Sequence, residues 1–200
     1  MSNAINKVSY GLYVLTTAFD GIDNGCIINT VMQVASNPER ICISVNNSNY
    51  TCELLKKSKK FNVSVLTENT PFDVFKNFGF NSGRTYDKFQ NKEGIFRSEN
   101  DVYVISKYSN AYISAKITDM IDMGSHTLFI AETTASYAFN DEPSITYSYY
   151  HANTKPKPEN KAKKGYRCEI CGYVYEGDTL PDDFICPICK HGVNDFVEIN

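Results

Sequence analysis

The sequence predicts a mainly β protein: a barrel or sandwich of short strands with a few helices, followed by a small metal-bound module. Three observations carry this. Apolar residues recur with a period of two over several stretches before residue 140, the pattern of half-buried strands, while helical stretches are short and few. Residues 152–165 hold no aromatic or branched aliphatic side chain and so divide the chain. Four of the seven cysteines then crowd into two Cys-x-x-Cys pairs near the end.

In chain order, a short helix is expected at the very start. A continuous apolar run from Gly11 through Leu15 reads as a strand buried on both faces. Ile41, Ile43 and Val45 share one face of a strand, as do Phe61, Val63 and Val65. Helices are expected near Tyr50–Lys60 and Pro71–Phe78. Residues 112–121 place Ile113, Ala115, Ile117 and Ile121 on one side, and residues 128–139 do the same with Phe129, Ala131, Ala135, Tyr137 and Phe139. Alternation without intervening helices argues against a doubly wound sheet. The expected division is a large domain over residues 1–151, a Lys/Pro-rich linker over 152–165 and a small module over 166–200. Such a linker, about 13 residues of coil, spans roughly 20 Å on average, enough for the module to visit a site on the large domain.

Composition sets bounds. With 42% hydrophobic and 22% charged residues in 200, the chain has the make-up of a soluble globular protein. No apolar stretch approaches a membrane span and the first residues lack a signal peptide's basic and apolar regions, so a cytoplasmic location and no membrane partner are expected. The net charge of −3 is uneven. The linker carries five lysines against one glutamate, and residues 166–200 carry two basic against seven acidic residues. No basic nucleic-acid footprint is present; the acidic module would be steered to a basic protein surface.

Cys168-x-x-Cys171 and Cys186-x-x-Cys189 form the strongest motif. Two tight turns, each presenting two thiolates, make a tetrahedral sulfur site suited to zinc or iron, and a module this small needs a metal to hold together. Five aromatics surround it: Tyr166, Tyr173, Tyr175, Phe184 and Phe196. The run CysGluIleCysGlyTyrValTyr, then ProAspAspPheIleCysProIleCys, then AspPhe, closely resembles rubredoxin. That resemblance implies one iron on Cys168, Cys171, Cys186 and Cys189, working by single-electron transfer. The chain departs from the family with a shortened loop between the pairs, Phe184 where Trp is usual, and Lys190 where Gly is preferred. A left-handed residue there costs a non-glycine side chain roughly 1–2 kcal/mol.

The large domain offers polar clusters. Asn46–Thr51 leads into the first long helix, whose free N–H groups suit an anion. Ser82–Lys88 combines Gly83 with the cations Arg84 and Lys88. Gly124–Glu132 is a turn carrying His126, then a strand. These clusters, with Asn24–Pro38, resemble in order and spacing the flavin reductase-like proteins, which have the FMN-binding split β-barrel fold and are commonly dimers. Joined to the module, the whole chain resembles the family of high-molecular-weight rubredoxins. The resemblance implies that Asn29, Thr30 and Val31 face the flavin, that Asn46, Ser48 and Thr51 hold its ring edge and phosphate, and that Ser82, Gly83, Arg84 and Lys88 complete the phosphate grip. His126 stands in a turn associated with nicotinamide binding, where this chain has Ser125 in place of the family's Asp.

The implied activity is an NAD(P)H-dependent flavin reductase that passes electrons from FMN to its own rubredoxin iron and on to a partner redox protein, a flavodiiron oxygen or nitric oxide reductase. Two alternatives stand beside it: a flavoredoxin-like carrier reduced by a separate reductase, and a flavin-binding sensor with a structural zinc ribbon. No Rossmann fingerprint is present to separate NADH from NADPH. Cys26, Cys42 and Cys52 read as buried thiols, with Cys26 close to the expected flavin strand.

Overall fold

The computed structural model describes residue 4, residues 7–156 and residues 165–199. The chain forms two compact units, Met1–Lys155 and Pro156–Asn200. Among the described residues no helix is long and apolar enough to cross a membrane.

The first unit runs β1 (Tyr13–Phe19), β2 (Ile22–Ile28), β3 (Val31–Ser36), β4 (Glu39–Asn46), α1 (Tyr50–Ser58), β5 (Lys60–Leu66), α2 (Phe72–Phe75), β6 (Ile95–Arg97), β7 (Tyr103–Ile105), β8 (Ser109–Asp122), β9 (His126–Ala138) and α3 (Tyr147–Tyr149). Seven strands make one antiparallel sheet in the order β2-β1-β5-β8-β9-β4-β3. Asp20 and Gly21, both at positive φ (51° and 73°), turn β1 into β2; Asp-Gly is the pair that tolerates this tight turn. The two edge strands, β2 and β3, are joined by Asn29 and Thr30 alone. A connection that short forces the sheet to curl until its edges approach, giving a barrel split at this seam. Leu15, Ile28, Ile43, Val45, Phe61, Val63 and Phe129 fill the interior, and α1 contributes Cys52 and Leu55 from one end.

Strand β5 departs from the expected half-buried pattern, because Phe61, Asn62, Val63 and Ser64 are all buried. The small hairpin of β6 and β7 covers its outer face. Asn62 Nδ2 donates to Ser98 Oγ at 2.8 Å and to the Val102 carbonyl at 2.9 Å, and Ser64 Oγ accepts the Ile105 N–H at 3.0 Å. Alternating polar residues thus point at a second layer rather than at water. That layer continues into an aromatic cluster of Phe75, Phe78, Phe89 and Tyr150. Tyr147, Tyr149 and Tyr150 pack there, on the outside of the barrel.

Two further expectations are corrected. Ile121 and Tyr137 are 43% and 61% exposed. The β8–β9 pairing shifts register between Ser114 and Ala115 and between Ile117 and Asp119. Each shift inserts one residue and flips the side-chain phase, so the inward set ends at Ile117 and Ala131. The expected helices appear at Tyr50–Ser58 and Phe72–Phe75, the latter running on as a π turn over Lys76–Phe80. Most of the expected N-terminal helix lies outside the described residues. So do residues 157–164 of the expected linker; its first residues, Ala152–Thr154, finish a π turn that begins at Tyr150.

The second unit is a three-stranded sheet, β11-β10-β12, of β10 (Gly165–Cys168), β11 (Val174–Tyr175) and β12 (Phe196–Ile199). Phe184 packs at its centre, with ring centroids 4.9 Å from Tyr175 and 5.4 Å from Phe196.

Candidate functional site

In the first unit the polar clusters converge on the start of α1. Strand β4 ends at Asn46, whose Oδ1 accepts from the Ser48 N–H at 2.9 Å and the Ser48 hydroxyl at 2.8 Å. Asn49 is the extended N-cap, and its side chain caps nothing; its carbonyl accepts the Cys52 N–H at 2.9 Å, which leaves the Tyr50 and Thr51 N–H groups to a ligand. Thr51 is buried in that first turn. Register places Asn46 directly opposite His126 at the start of β9. His126 Nδ1 lies 2.9 Å from Ser125 Oγ, so the serine takes the orienting contact an aspartate would make, without its charge.

Asn47 holds the two turns together. Its Oδ1 accepts from Thr127 Oγ1 at 2.6 Å, its Nδ2 donates to the Gly124 carbonyl at 2.7 Å, and its N–H donates to the Ser125 carbonyl at 2.9 Å. Sequence reasoning missed this residue. One Asn in a polar run carries no local mark of a partner 80 positions away.

Arg84 reaches the same helix. Its Nη2 donates to Glu53 Oε2 at 2.6 Å and its guanidinium lies 4.3 Å above the Tyr50 ring. The Arg84 and Lys57 hydrogen bonds hold the Glu53 carboxyl below its usual range. Ser82 Oγ accepts the Arg84 N–H at 3.3 Å. At Gly83 a Cβ would collide with the Asn24 amide, so a larger residue there would have to displace that buried side chain. Asn24 is 2% exposed, and both atoms of its amide lack a hydrogen-bond partner among the described residues.

Lys88 is the correction. It is 7% exposed and its ammonium donates to the Gly25 carbonyl at 2.7 Å and the Phe78 carbonyl at 3.0 Å. Burial lowers its pKa. With two of its donors on backbone carbonyls, Lys88 ties β2 to the π turn instead of reaching out of the loop as a free cation. Asn29, Thr30 and Val31 lie at the barrel seam. Thr30 Oγ1 donates to Asn29 Oδ1 at 3.0 Å, and Val31 pairs with Ile43 three residues before Asn46, at the same end of the sheet. Cys26 also arrives here: burial pushes its thiol up to about 11, against hydrogen bonds with Thr51 and Asn49.

The arrangement suits a phosphate-bearing planar ligand. It joins a helix start, a guanidinium, a hydroxyl-lined turn and a glycine packed on a buried, unpartnered amide.

In the second unit the four cysteine Sγ atoms lie within 4.8 Å of one another. Cys168 and Cys189 sulfurs are 3.5 Å apart, those of Cys171 and Cys186 3.4 Å. A tetrahedral site with metal–sulfur bonds of about 2.3 Å has edges of about 3.8 Å, so the cage fits one such ion. The two turns are matched. The Gly172 N–H donates to the Cys168 carbonyl and the Lys190 N–H to the Cys186 carbonyl, both at 2.9 Å, with φ of 80° and 63°. Lys190 thus adopts the left-handed conformation expected of it. Burial pushes the Cys171 thiol up to about 11 and the Cys189 thiol up as well; Cys186, against its burial, is drawn down by the Cys189 and Ile188 N–H groups. A cation at the centre relieves what crowding four sulfurs costs. Cys168 and Cys186 are buried, while Cys171 and Cys189 are partly exposed beside the exposed Ile185 and Ile188.

Comparison with known proteins agrees with both halves. The flavin reductase like domain family matches residues 5–156, and the rubrerythrin, rubredoxin-like domain family matches residues 166–197. The chain is 33% identical to the high molecular weight rubredoxin of Moorella thermoacetica, over 99% of each chain. It is 35% identical to the ferric-chelate reductase (NAD(P)H) of Archaeoglobus fulgidus, over 80% of this chain and 94% of that one. The NADH:FAD oxidoreductase SgcE6 of Streptomyces globisporus shares the fold, with a TM-score of 0.66 at 19% identity over 73% of this chain and 86% of that one. The chain belongs to the flavin reductase like domain family, and it carries a rubredoxin-like domain at its C-terminal end.

Proposed function

We propose that this chain is an NAD(P)H-dependent oxidoreductase that moves electrons through FMN to iron in its own four-cysteine cage and on to a partner redox protein, a flavodiiron oxygen or nitric oxide reductase. The observation that carries the reading is the presence, in one chain, of a flavin reductase-like barrel and a closed sulfur tetrahedron. Bound flavin supplies the exchange between a two-electron donor and one-electron acceptors, and the four-sulfur iron takes one electron at a time.

The chain's own residues do the rest. The α1 start and Arg84 bind the phosphate; Ser82 and Gly83 let the backbone close on it. Asn29, Thr30, Asn46 and Ser48 present hydrogen-bonding groups at one end of the sheet. His126, oriented by Ser125, stands beside Asn46 to position the nicotinamide. Asn47 fixes the distance between those two turns. At the metal, the buried side of the cage and the rings of Tyr173, Tyr175, Phe184 and Phe196 exclude water, and electrons leave on the Cys171 and Cys189 side. Exposed Met32 and Val34 on edge strand β3 support a homodimer, which sedimentation velocity would test.

The deciding experiment is a visible spectrum of anaerobically purified protein before and after stoichiometric NADH. Ferric–sulfur and flavin bands that both bleach are the expected result. Bands that stay unbleached overturn the NAD(P)H step in favour of a carrier charged by another reductase, a role the uncharged Ser125 beside His126 suits. Zinc at full occupancy would make the module a structural ribbon.

A further inference from the structure

The two cysteine turns of the metal cage match in backbone but not in charge. Gly172 and Lys190 each directly follow the second cysteine of a pair, with φ of 80° and 63°. At Gly172 a Cβ would meet nothing within 4 Å, so this place in the turn is open to a side chain. A lysine there still costs backbone strain, because only glycine enters the left-handed region freely. The turn itself does not require lysine, since Gly172 makes the same 2.9 Å hydrogen bond to Cys168 that Lys190 makes to Cys186. Nor does packing repay the cost. Lys190 is exposed, and among the described residues its ammonium makes no ion pair and no hydrogen bond. A strained residue that gains no contact points to a role outside packing.

Charge supplies that role. Residues 166–200 hold seven acidic residues and only two basic ones, Arg167 and Lys190. Lys190 directly follows the ligand Cys189, while Glu169 directly follows the ligand Cys168. The sulfurs of these two ligands lie 3.5 Å apart, and Cys189 is the partly exposed one. A four-carbon stem anchored one residue from a ligand keeps its ammonium near the cage wherever it swings. Four thiolates around ferric iron carry one net negative charge, and around ferrous iron two. A cation beside the cage therefore attracts the ferrous state more strongly, against the repulsion of the surrounding carboxylates.

We infer that Lys190 raises the electron affinity of the iron-loaded cage and so favours electron flow from flavin to iron. The step it biases adds one electron, supplied by reduced flavin, to ferric iron; no bond is made or broken at the cage. Lys190 is not a ligand and acts through the charge it places beside Cys189. The inference rests on the electron-transfer reading above.

The test is a spectroelectrochemical titration of the full-length, FMN- and iron-loaded protein, following the ferric–sulfur band. Lys190→Met, which keeps the length and loses the charge, should lower the ferrous-to-ferric ratio at fixed poise about threefold, or about 28 mV at 59 mV per tenfold. Lys190→Gly should match it, and Lys190→Arg should keep the original midpoint. The differences should shrink between about 0.01 and 1 M salt, as the Debye length falls from about 30 to about 3 Å. A Lys190→Met midpoint equal to that of the unaltered protein overturns the inference. So does a shift common to Met and Arg, or a Gly variant that departs from Met, since shape or backbone strain would then set the potential. An unaltered protein with no ferric–sulfur band would instead overturn the iron reading, so the two failures are distinguishable.

Discussion

Arg84 shows how little of a residue's role lies in its own neighbourhood in sequence. It sits in an exposed turn, yet its guanidinium spans Tyr50 and Glu53 at the start of α1. Replacing it should therefore act on an anion held there. Arg84→Ala is expected to weaken FMN binding by about 1–3 kcal/mol and to leave riboflavin, which lacks the phosphate, unaffected; fluorescence quenching titrations of both ligands check this. Cys26 makes a different residue-scale case. Burial raises its pKa from 9.0 to about 11, so the folded state keeps a proton that the unfolded chain gives up. Its contribution is full below pH 9.0, falls away as pH rises through about 11, and amounts to about 3 kcal/mol. Urea unfolding at pH 8 and pH 11 should show the loss, and Cys26→Ala should shrink it. Cys42 and Cys52 titrate in the same direction, so the fall is not expected to vanish.

Among the elements, β5 and the β6–β7 hairpin depend on one another. Asn62 is fully buried and bonds Ser98 and the Val102 carbonyl, while Asn100 Nδ2 returns a bond to Asn62 Oδ1 at 2.8 Å. Removing that amide leaves buried groups on both elements unpaired. Asn62→Ala is expected to destabilise the first unit by about 2–4 kcal/mol, seen as a lowered urea midpoint, with faster hydrogen exchange across residues 95–105. The alternation Phe61-x-Val63-x-Val65 was legible as a strand. That its polar members also face inward was not, because the hairpin covering them lies some 40 positions later. In β4 the expected set Ile41, Ile43 and Val45 does line the interior, whereas β8 and β9 depart from expectation past their bulges, since an inserted residue flips the phase without changing composition.

At the scale of the whole molecule, two centres share one chain and should fail independently. Cys171→Ser opens the sulfur cage and is expected to abolish iron and electron output to any acceptor, while flavin binding and NADH-driven flavin bleaching persist. Paired metal analysis and stopped-flow absorbance check both halves, and retained output would remove the cage from the route. The second unit should also lose cooperative unfolding when its metal is stripped, because residues 165–199 support only a three-stranded sheet around Phe184.

The sequence by itself determined the metal cage and the β character of the barrel. Both are written in local spacing: two Cys-x-x-Cys turns fix four sulfurs almost regardless of context, and a period of two is a property of one strand. Tertiary structure alone decided which polar residues meet. Asn46 faces His126 because β4 and β9 pair, Asn47 bridges two turns because that pairing brings them together, and Lys88 turns inward because two backbone carbonyls await it across the fold. Each of these is a contact between distant segments, set by the closure of the sheet, and no local pattern encodes where a closing sheet brings its ends.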